Sequence, residues 1–253
     1  DADRSRIRMI PCGFDPDELW PVEQAAARET LGIPRTDRVV LHLGRMVPRK
    51  GVENVIRAFA LYRRSSDVPS RLLIAGGESD APDPRLTPEI GRLQQIAENE
   101  GVDGSVVFVG RRRRQELRYW YSAADVFVTT PWYEPFGITP LESMACGTPV
   151  IGSRVGGIQY SVLDGVTGYL VPPNDAQALA QRLETIFSDP ALRRTLGRKA
   201  IERANAKFTW EGVTRQIVAL YEGVLAGGRQ RLMSASPSGS HVPSAASAGG
   251  SHG

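Results

Sequence analysis

The strongest constraint on this chain is an alternation that begins near residue 38: short unbroken apolar runs, then longer stretches with apolar residues at helical spacing. Val39–Leu43 (VVLHL) reads as a buried strand, and Val52–Arg64 follows with a stripe of Val52, Val55, Ile56, Phe59 and Ala60. Further strands are predicted at Arg71–Ala75, Val106–Val109, Asp125–Val128, Pro149–Gly152 and Gly168–Val171. The predicted helices are Pro88–Glu100, Glu116–Ala123, Thr139–Ala145, Ala176–Phe187, Ala191–Asn205 and Trp210–Leu225. A strand that is apolar on both sides of its pleat needs cover on both faces. The pattern therefore predicts an α/β fold, a Rossmann-like parallel sheet with helices on both faces. In such sheets ligands lie beyond the carboxyl ends of the strands, which directs attention to the segments just after each one.

The two ends differ from this pattern. Residues 1–37 carry Pro11, Gly13, Pro16, Pro21 and Pro34 around one predicted helix, Val22–Leu31, and read as a connection arriving from an upstream domain. A start at Asp1 rather than Met fits a fragment of a longer chain. Residues 38–226 would form the Rossmann-like domain. Residues 227–253, rich in Gly, Ser, Ala and Pro, are expected to be a disordered tail, with His241 and His252 too sparse for a metal site. A net charge of +3 lacks the dense basic stripe of a nucleic-acid binder, so no nucleic-acid partner is expected. Two distant cysteines, Cys12 and Cys146, form neither a disulfide framework nor a metal cluster, and point to a reduced, cytoplasmic setting. Nothing approaches the roughly 18 consecutive apolar residues of a membrane span.

The first predicted strand ends in Gly44-Arg45-Met46-Val47-Pro48-Arg49-Lys50-Gly51. Arg45 and Lys50 flank a glycine-bounded turn that leads into a helix, and cations beside a helix N-terminus suit phosphate. A basic surface loop between strand and helix accounts for the same spacing equally well. Gly76-Gly77 after the second strand leaves room for a ligand or only for a flexible connection. After the third, Gly110 leads into Arg111–Arg114. Arg112–Arg114 read as a solvated face or helix entry, and Arg111, at the strand end, as the one facing a cleft.

The most informative segment is Pro131-Trp132-Tyr133-Glu134-Pro135-Phe136-Gly137-Ile138-Thr139-Pro140-Leu141-Glu142. Thr139 is expected to cap the next helix, Pro140 to occupy its first position and Glu142 its first turn. Carboxylates suit sugar and ribose hydroxyls, and the free amides around Gly137–Thr139 suit phosphate oxygens. Helix physics alone accounts for Glu142 as an acid stabilising the first turn. His42, inside an apolar strand, reads as a satisfied core residue, and Cys146 as a small buried hydrophobe.

The string E-P-F-G-I-T-P-L-E-x-M-A-C-G-T-P-V-I resembles the E-x7-E signature of retaining glycosyltransferase family 4, the group 1 glycosyl transferases. G-R-M-V-P-R-K-G, L-L-I-A-G-G, V-V-F-V-G, Y-S-A-A-D-V-F-V, S-R-V-G-G, D-G-V-T-G-Y-L-V and F-T-W occur in that family's order, so the resemblance spans roughly Arg8 to Leu225. It implies the C-terminal, donor-binding half of a GT-B enzyme that transfers a sugar from a nucleotide-diphosphate sugar with retention of configuration. The family's roles would give catalytic positions to Arg45, Lys50 and Glu134, the two cations on the diphosphate. Gly44, Gly110, Arg111, Phe136, Gly137, Ile138, Thr139, Leu141 and Glu142 would bind donor, with Glu142 on the ribose and Gly110–Arg111 near the base. No metal or other cofactor is expected, the nucleotide sugar being a co-substrate. The implied partners are an N-terminal acceptor domain and a sugar, lipid or polysaccharide acceptor, with peripheral membrane association possible in such families. Helix Trp210–Leu225 resembles the one that crosses back to brace that first domain. Where many members carry Pro-Glu after the Gly-Gly pair, this chain has Ile158-Gln159-Tyr160. The alternative reading is a non-catalytic nucleotide-sugar-binding module or partner subunit.

Overall fold

A computed structural model describes residues 7–234, with side chains through residue 226. The helices are α1 (Gln24–Leu31), α2 (Val52–Arg64), α3 (Pro88–Asn99), α4 (Leu117–Ala123), α5 (Ile138–Ala145), α6 (Ile158–Ser161), α7 (Ala176–Ser188), α8 (Pro190–Lys207) and α9 (Trp210–Ser234). The strands are β1 (Arg38–Leu43), β2 (Ser70–Ala75), β3 (Val106–Gly110), β4 (Val126–Thr129), β5 (Val150–Ser153) and β6 (Gly168–Val171). They form one parallel sheet in the order β3-β2-β1-β4-β5-β6.

The continuous apolar strands have the cover that their composition demands. Along β1 and β4, Val40, Val126 and Val128 enter the core beneath α2, α3 and α7, while Val39, Leu41 and Phe127 enter the one beneath α1, α4 and α5. The order reverses between β1 and β4. Six residues of β1 pair with β2, but only Val40 and Leu41 pair with β4, so β1 and β4 part toward their carboxyl ends and open a crevice.

At the opposite end of those strands one buried carboxylate gathers four elements. Asp125 accepts from Arg28 Nη2 of α1 at 2.9 Å, from the Val39 amide of β1 at 2.7 Å, from Gln24 Nε2 at 3.2 Å, and from Arg193 of α8. Arg28 is itself only 4% exposed and also donates to the Ala123 and Arg35 carbonyls.

The structure departs from the expectations at identifiable places. The segment expected to be a mere connection is built into the domain: Phe14 and Leu19 are buried, the Phe14 amide donates to Phe208 O and the Trp210 amide to Phe14 O. Helix α6 was not foreseen, because four residues are too few to show a period. Helix α9 runs to Ser234, past the predicted stop at Leu225 and into the segment expected to be disordered; residues 235–253 lie outside the described residues. From Thr214 the chain forms a separate unit. There Ile217, Val218, Tyr221, Val224 and Leu225 make an exposed apolar stripe at helical spacing.

Removing Asp125 leaves the Arg28 guanidinium buried without its counter-ion. Asp125→Ala is expected to cost about 3–5 kcal/mol, lowering the midpoint of thermal unfolding by roughly 10 °C. A calorimetric loss under about 1 kcal/mol would show that the network is dispensable.

Candidate functional site

The crevice between β1 and β4 is bordered by the loops that follow those strands, and the two loops are stitched together. Thr130 Oγ1 donates to Gly51 O at 3.1 Å, the Trp132 amide to Arg49 O at 3.3 Å, and Arg49 Nη1 to Tyr133 O at 3.0 Å. Gly51 has φ +68 and presses on the Thr130 carbonyl, which a β-carbon there would meet at 2.1 Å. This turn swings Lys50 across the crevice, where Nζ lies 2.5 Å from Glu134 Oε2. Arg49 Nη1 stands 3.9 Å from the same oxygen. Two residues 84 positions apart thus form the centre of the site. Arg45 is exposed and makes no ion pair among the described residues.

Glu134 is held from behind. The Gly157 amide donates to Glu134 O at 3.2 Å and to Pro135 O at 3.1 Å. The Gly156–Gly157 pair lets this approach happen, since a β-carbon on Gly157 would fall 2.3 Å from Phe136 Cα.

Helix α5 begins one residue earlier than expected. Gly137, at φ +89, is its cap residue, Ile138 its first residue, and Thr139 lies inside the first turn without a capping bond. Thr139 was expected to cap because its hydroxyl is the usual partner for an N-terminal amide. Here the amides of Gly137, Ile138 and Thr139 donate to no group among the described residues, and such a helix start attracts anions. Phe136 turns its ring toward Phe208, 6.4 Å away, and Leu141 is wholly buried in the core, so their side chains do not face the crevice. Ile138 is 48% exposed.

Glu142, one turn further, is 6% exposed and accepts from Tyr121 Oη at 2.8 Å. Burial raises its carboxyl above the usual range, and the Tyr121 bond and the Arg114 charge counter this only in part. Cys146 is buried in the same core, and burial raises its thiol as well.

A second opening of about 250 Å³ adjoins the ends of β1 and β2, lined by Gly44, Arg45, Met46, Gly77 and Arg111 among others. Gly110 O accepts from the Gly76 amide and the Arg111 amide donates to Ser79 O, which commits both main-chain groups to structure. The Arg111 side chain is exposed and lies 3.5 Å from Asp80. Arg112 is not the solvated residue expected. It donates to the Asp80 and Val109 carbonyls, and its guanidinium stands 5.6 Å from the Trp120 ring centre.

Sequence reasoning missed Arg49 and Tyr121, whose roles depend on contacts across the fold, although the Gly-Gly pair at 156–157 was a legible sign of close approach. It was half right about His42. The ring is fully buried and Nδ1 donates to Val128 O at 2.9 Å, replacing ladder pairing where β1 and β4 separate, but Nε2 has no partner among the described residues. Burial chiefly, with the Lys50 charge adding, lowers its pKa to about 4 against the pull of the Val128 carbonyl.

An all-parallel doubly wound sheet here gathers cations, a carboxylate and free helix amides at its switch point, where sheets of this kind take their ligands. A family model described as "Glycosyl transferases group 1" matches residues 23–203, and the chain belongs to that family. It is 36% identical over 230 residues to D-inositol 3-phosphate glycosyltransferase of Corynebacterium glutamicum, covering 89% of this chain and 54% of the relative. Among solved structures, sucrose-phosphate synthase from Thermosynechococcus elongatus is 40% identical with a TM-score of 0.77, over 87% of this chain and 53% of that one. Anabaena HepE in complex with UDP is 27% identical with a TM-score of 0.75, over 85% and 57%. The chain spans about half the length of the curated relatives it matches.

Two outcomes follow from the buried groups. Glu142 has a folded pKa above its unfolded value, so its contribution to stability is full at low pH and is lost as pH rises through the folded value. Glu142→Gln should therefore be at least as stable as the parent at pH 7 by thermal melt. A variant that melts well below the parent would contradict this burial-driven shift. His42 behaves as a buried neutral base: between about pH 6.5 and 4 the unfolded chain takes up a proton that the folded one refuses. Stability should fall by on the order of 3 kcal/mol across that window, and denaturant titrations of His42→Asn should show a flatter pH dependence.

Proposed function

We propose that this chain is the donor-binding half of a glycosyltransferase that moves a sugar from a nucleoside-diphosphate sugar to an acceptor with retention of configuration. The observation that carries this reading is the Lys50–Glu134 pair at the switch point, beside the free amides that open α5. Family membership and the likeness to glycosyltransferases support it.

The roles follow from charge. Lys50, Arg45 and the Gly137–Thr139 amides take the diphosphate, whose negative charge grows as the sugar–phosphate bond breaks. The leaving group is then stabilised by protein cations and helix amides, with no metal or other cofactor assigned. Once Lys50 turns to phosphate, Glu134 is released to accept from hydroxyls of the transferred sugar, where positive charge develops at the anomeric carbon. Glu142, held by Tyr121, accepts from the ribose. The base occupies the opening beside Gly44, Gly77 and Arg111, where the Arg111 side chain rather than its amide is available. No residue is assigned as a covalent nucleophile, because same-face attack assisted by the leaving phosphate accounts for retention.

The acceptor, a sugar, lipid or polysaccharide, would be bound by an N-terminal half absent from this sequence, and the apolar stripe of α9 offers a face for such a domain. A cytoplasmic setting, with peripheral attachment to a membrane, fits this assignment, and no helix among the described residues is long and apolar enough to cross one.

Differential scanning of the chain with UDP-, GDP- and ADP-sugars tests the reading. HepE was solved with UDP, which makes the UDP series the first arm. A ligand at about 100 times its dissociation constant should stabilise the fold by ~2.7 kcal/mol. Lys50→Ala and Arg45→Ala should abolish that shift, and in the complete enzyme should lower kcat/KM by about 100-fold or more. No shift with any nucleotide sugar would remove the donor assignment; a shift without turnover by the complete protein would favour the non-catalytic module.

A further inference from the structure

A further hollow, of about 580 Å³, is lined by residues of α2, α3 and the start of α7 together with Pro48, Gly51 and Trp132 of the stitched loops. Its walls include Trp132, Asn54, Asn174, Glu53, Arg57 and Arg92; only the main chain of Trp132 takes part in the crevice described above, and none of these side chains does. We propose that this hollow is a binding site for a neutral saccharide.

Asn54 carries the argument first. It is 8% exposed, its amide makes no hydrogen bond among the described residues, and its Nδ2 is buried without a partner. An unpaired buried amide costs stability, and Asn54 borders the hollow, so a side chain that turns its amide outward onto a ligand hydroxyl recovers that loss. Trp132 is the second element. A tryptophan that lines the hollow and is 49% exposed offers a flat apolar face. Asn174, also exposed and lining the hollow, adds another amide without a partner among the described residues.

Charge selects the class of occupant. Glu53 binds Arg57 Nη2 at 2.9 Å and Arg92 Nη1 at 2.5 Å, and Arg92 also binds Glu89 at 2.8 Å. Both guanidinium groups are therefore already neutralised, which leaves no unpaired cation to attract a phosphate or a polyanion. What remains is a set of hydrogen-bond donors and acceptors that shares the hollow with an aromatic ring. A pyranose ring matches it: its C–H face packs on the indole while its hydroxyls, each donor and acceptor at once, engage the amides and the paired charges.

The site is distinct from the donor site yet mechanically joined to it. Pro48, Gly51 and Trp132 line the hollow, and their loops also carry Lys50 and Glu134. A sugar residue of a longer glycan held here would lie beside the reaction centre without occupying it. Nucleotide is not required for this binding, so the inference stands apart from the donor assignment.

The test follows the indole N–H resonance of Trp132, identified by its disappearance in Trp132→Phe, as maltose, cellobiose and mannobiose are titrated into the chain. At least one should shift it saturably at millimolar concentration, both in the presence of UDP and in Lys50→Ala. Saturation-transfer measurements should find binding retained in Trp132→Phe and weakened about tenfold or more in Trp132→Ala and Asn54→Leu. Trp132 lies on the surface, so Trp132→Ala keeps the test decisive if Asn54→Leu fails to fold. The proposal fails if none of the three sugars shifts the resonance, if UDP displaces the sugar, if Trp132→Ala binds as the parent does, or if sulfate produces the same shift.

Discussion

The Asp125 carboxylate is the interaction on which the arrangement of the domain rests. It ties the start of β1 to the start of β4 and clamps α1 and α8 onto that edge. A buried carboxylate without partners would be strongly unfavourable, whereas one accepting from two guanidinium groups, an amide side chain and a main-chain amide is satisfied on all sides. Fixing the two strands at this end allows them to diverge at the other. His42 covers the Val128 carbonyl at the point of divergence, and the loops beyond it enclose the crevice.

The crevice is organised by pairs that bridge its walls. Lys50 and Glu134 neutralise each other across two loops, so neither charge is left unsatisfied. Tyr121 performs the same service for Glu142, which would otherwise be a carboxylate in an apolar core. The amides opening α5 have no such partner among the described residues. A ligand bearing both phosphate and hydroxyl groups would reward each of these arrangements at once, whereas one bearing only phosphate would leave Glu134 and Glu142 unrewarded.

Much of the fold was legible because its causes are local or periodic. Burial on both faces makes parallel strands uniformly apolar, and β1, β2 and β6 lie within a residue or so of their expected bounds. The family resemblance also singled out loops that the structure brings together beyond β1 and β4. Less legible were features that depend on contacts remote in sequence. Arg112 sits in a run of four arginines that looks solvated, yet carbonyls and the Trp120 ring engage it. Thr139 has the chemistry of a cap, but the Gly156–Gly157 loop packs against the turn in front of it and α5 starts at Ile138. The N-terminal segment looked like a tether because its prolines conceal Phe14 and Leu19, two buried anchors.

By itself, the sequence determined that this chain builds a covered parallel sheet and places cations, glycines and two glutamates beyond its strands, because hydrophobic periodicity and backbone permissiveness are written residue by residue. Only the tertiary structure decided that Lys50 and Glu134 meet, that Tyr121 holds Glu142, and that Arg45 finds no ion-pair partner among the described residues. It also decided that Asn54 and Trp132 share a hollow no motif announces. Those outcomes depend on distances between residues far apart in the chain, and such distances exist only once the sheet has brought its carboxyl ends together.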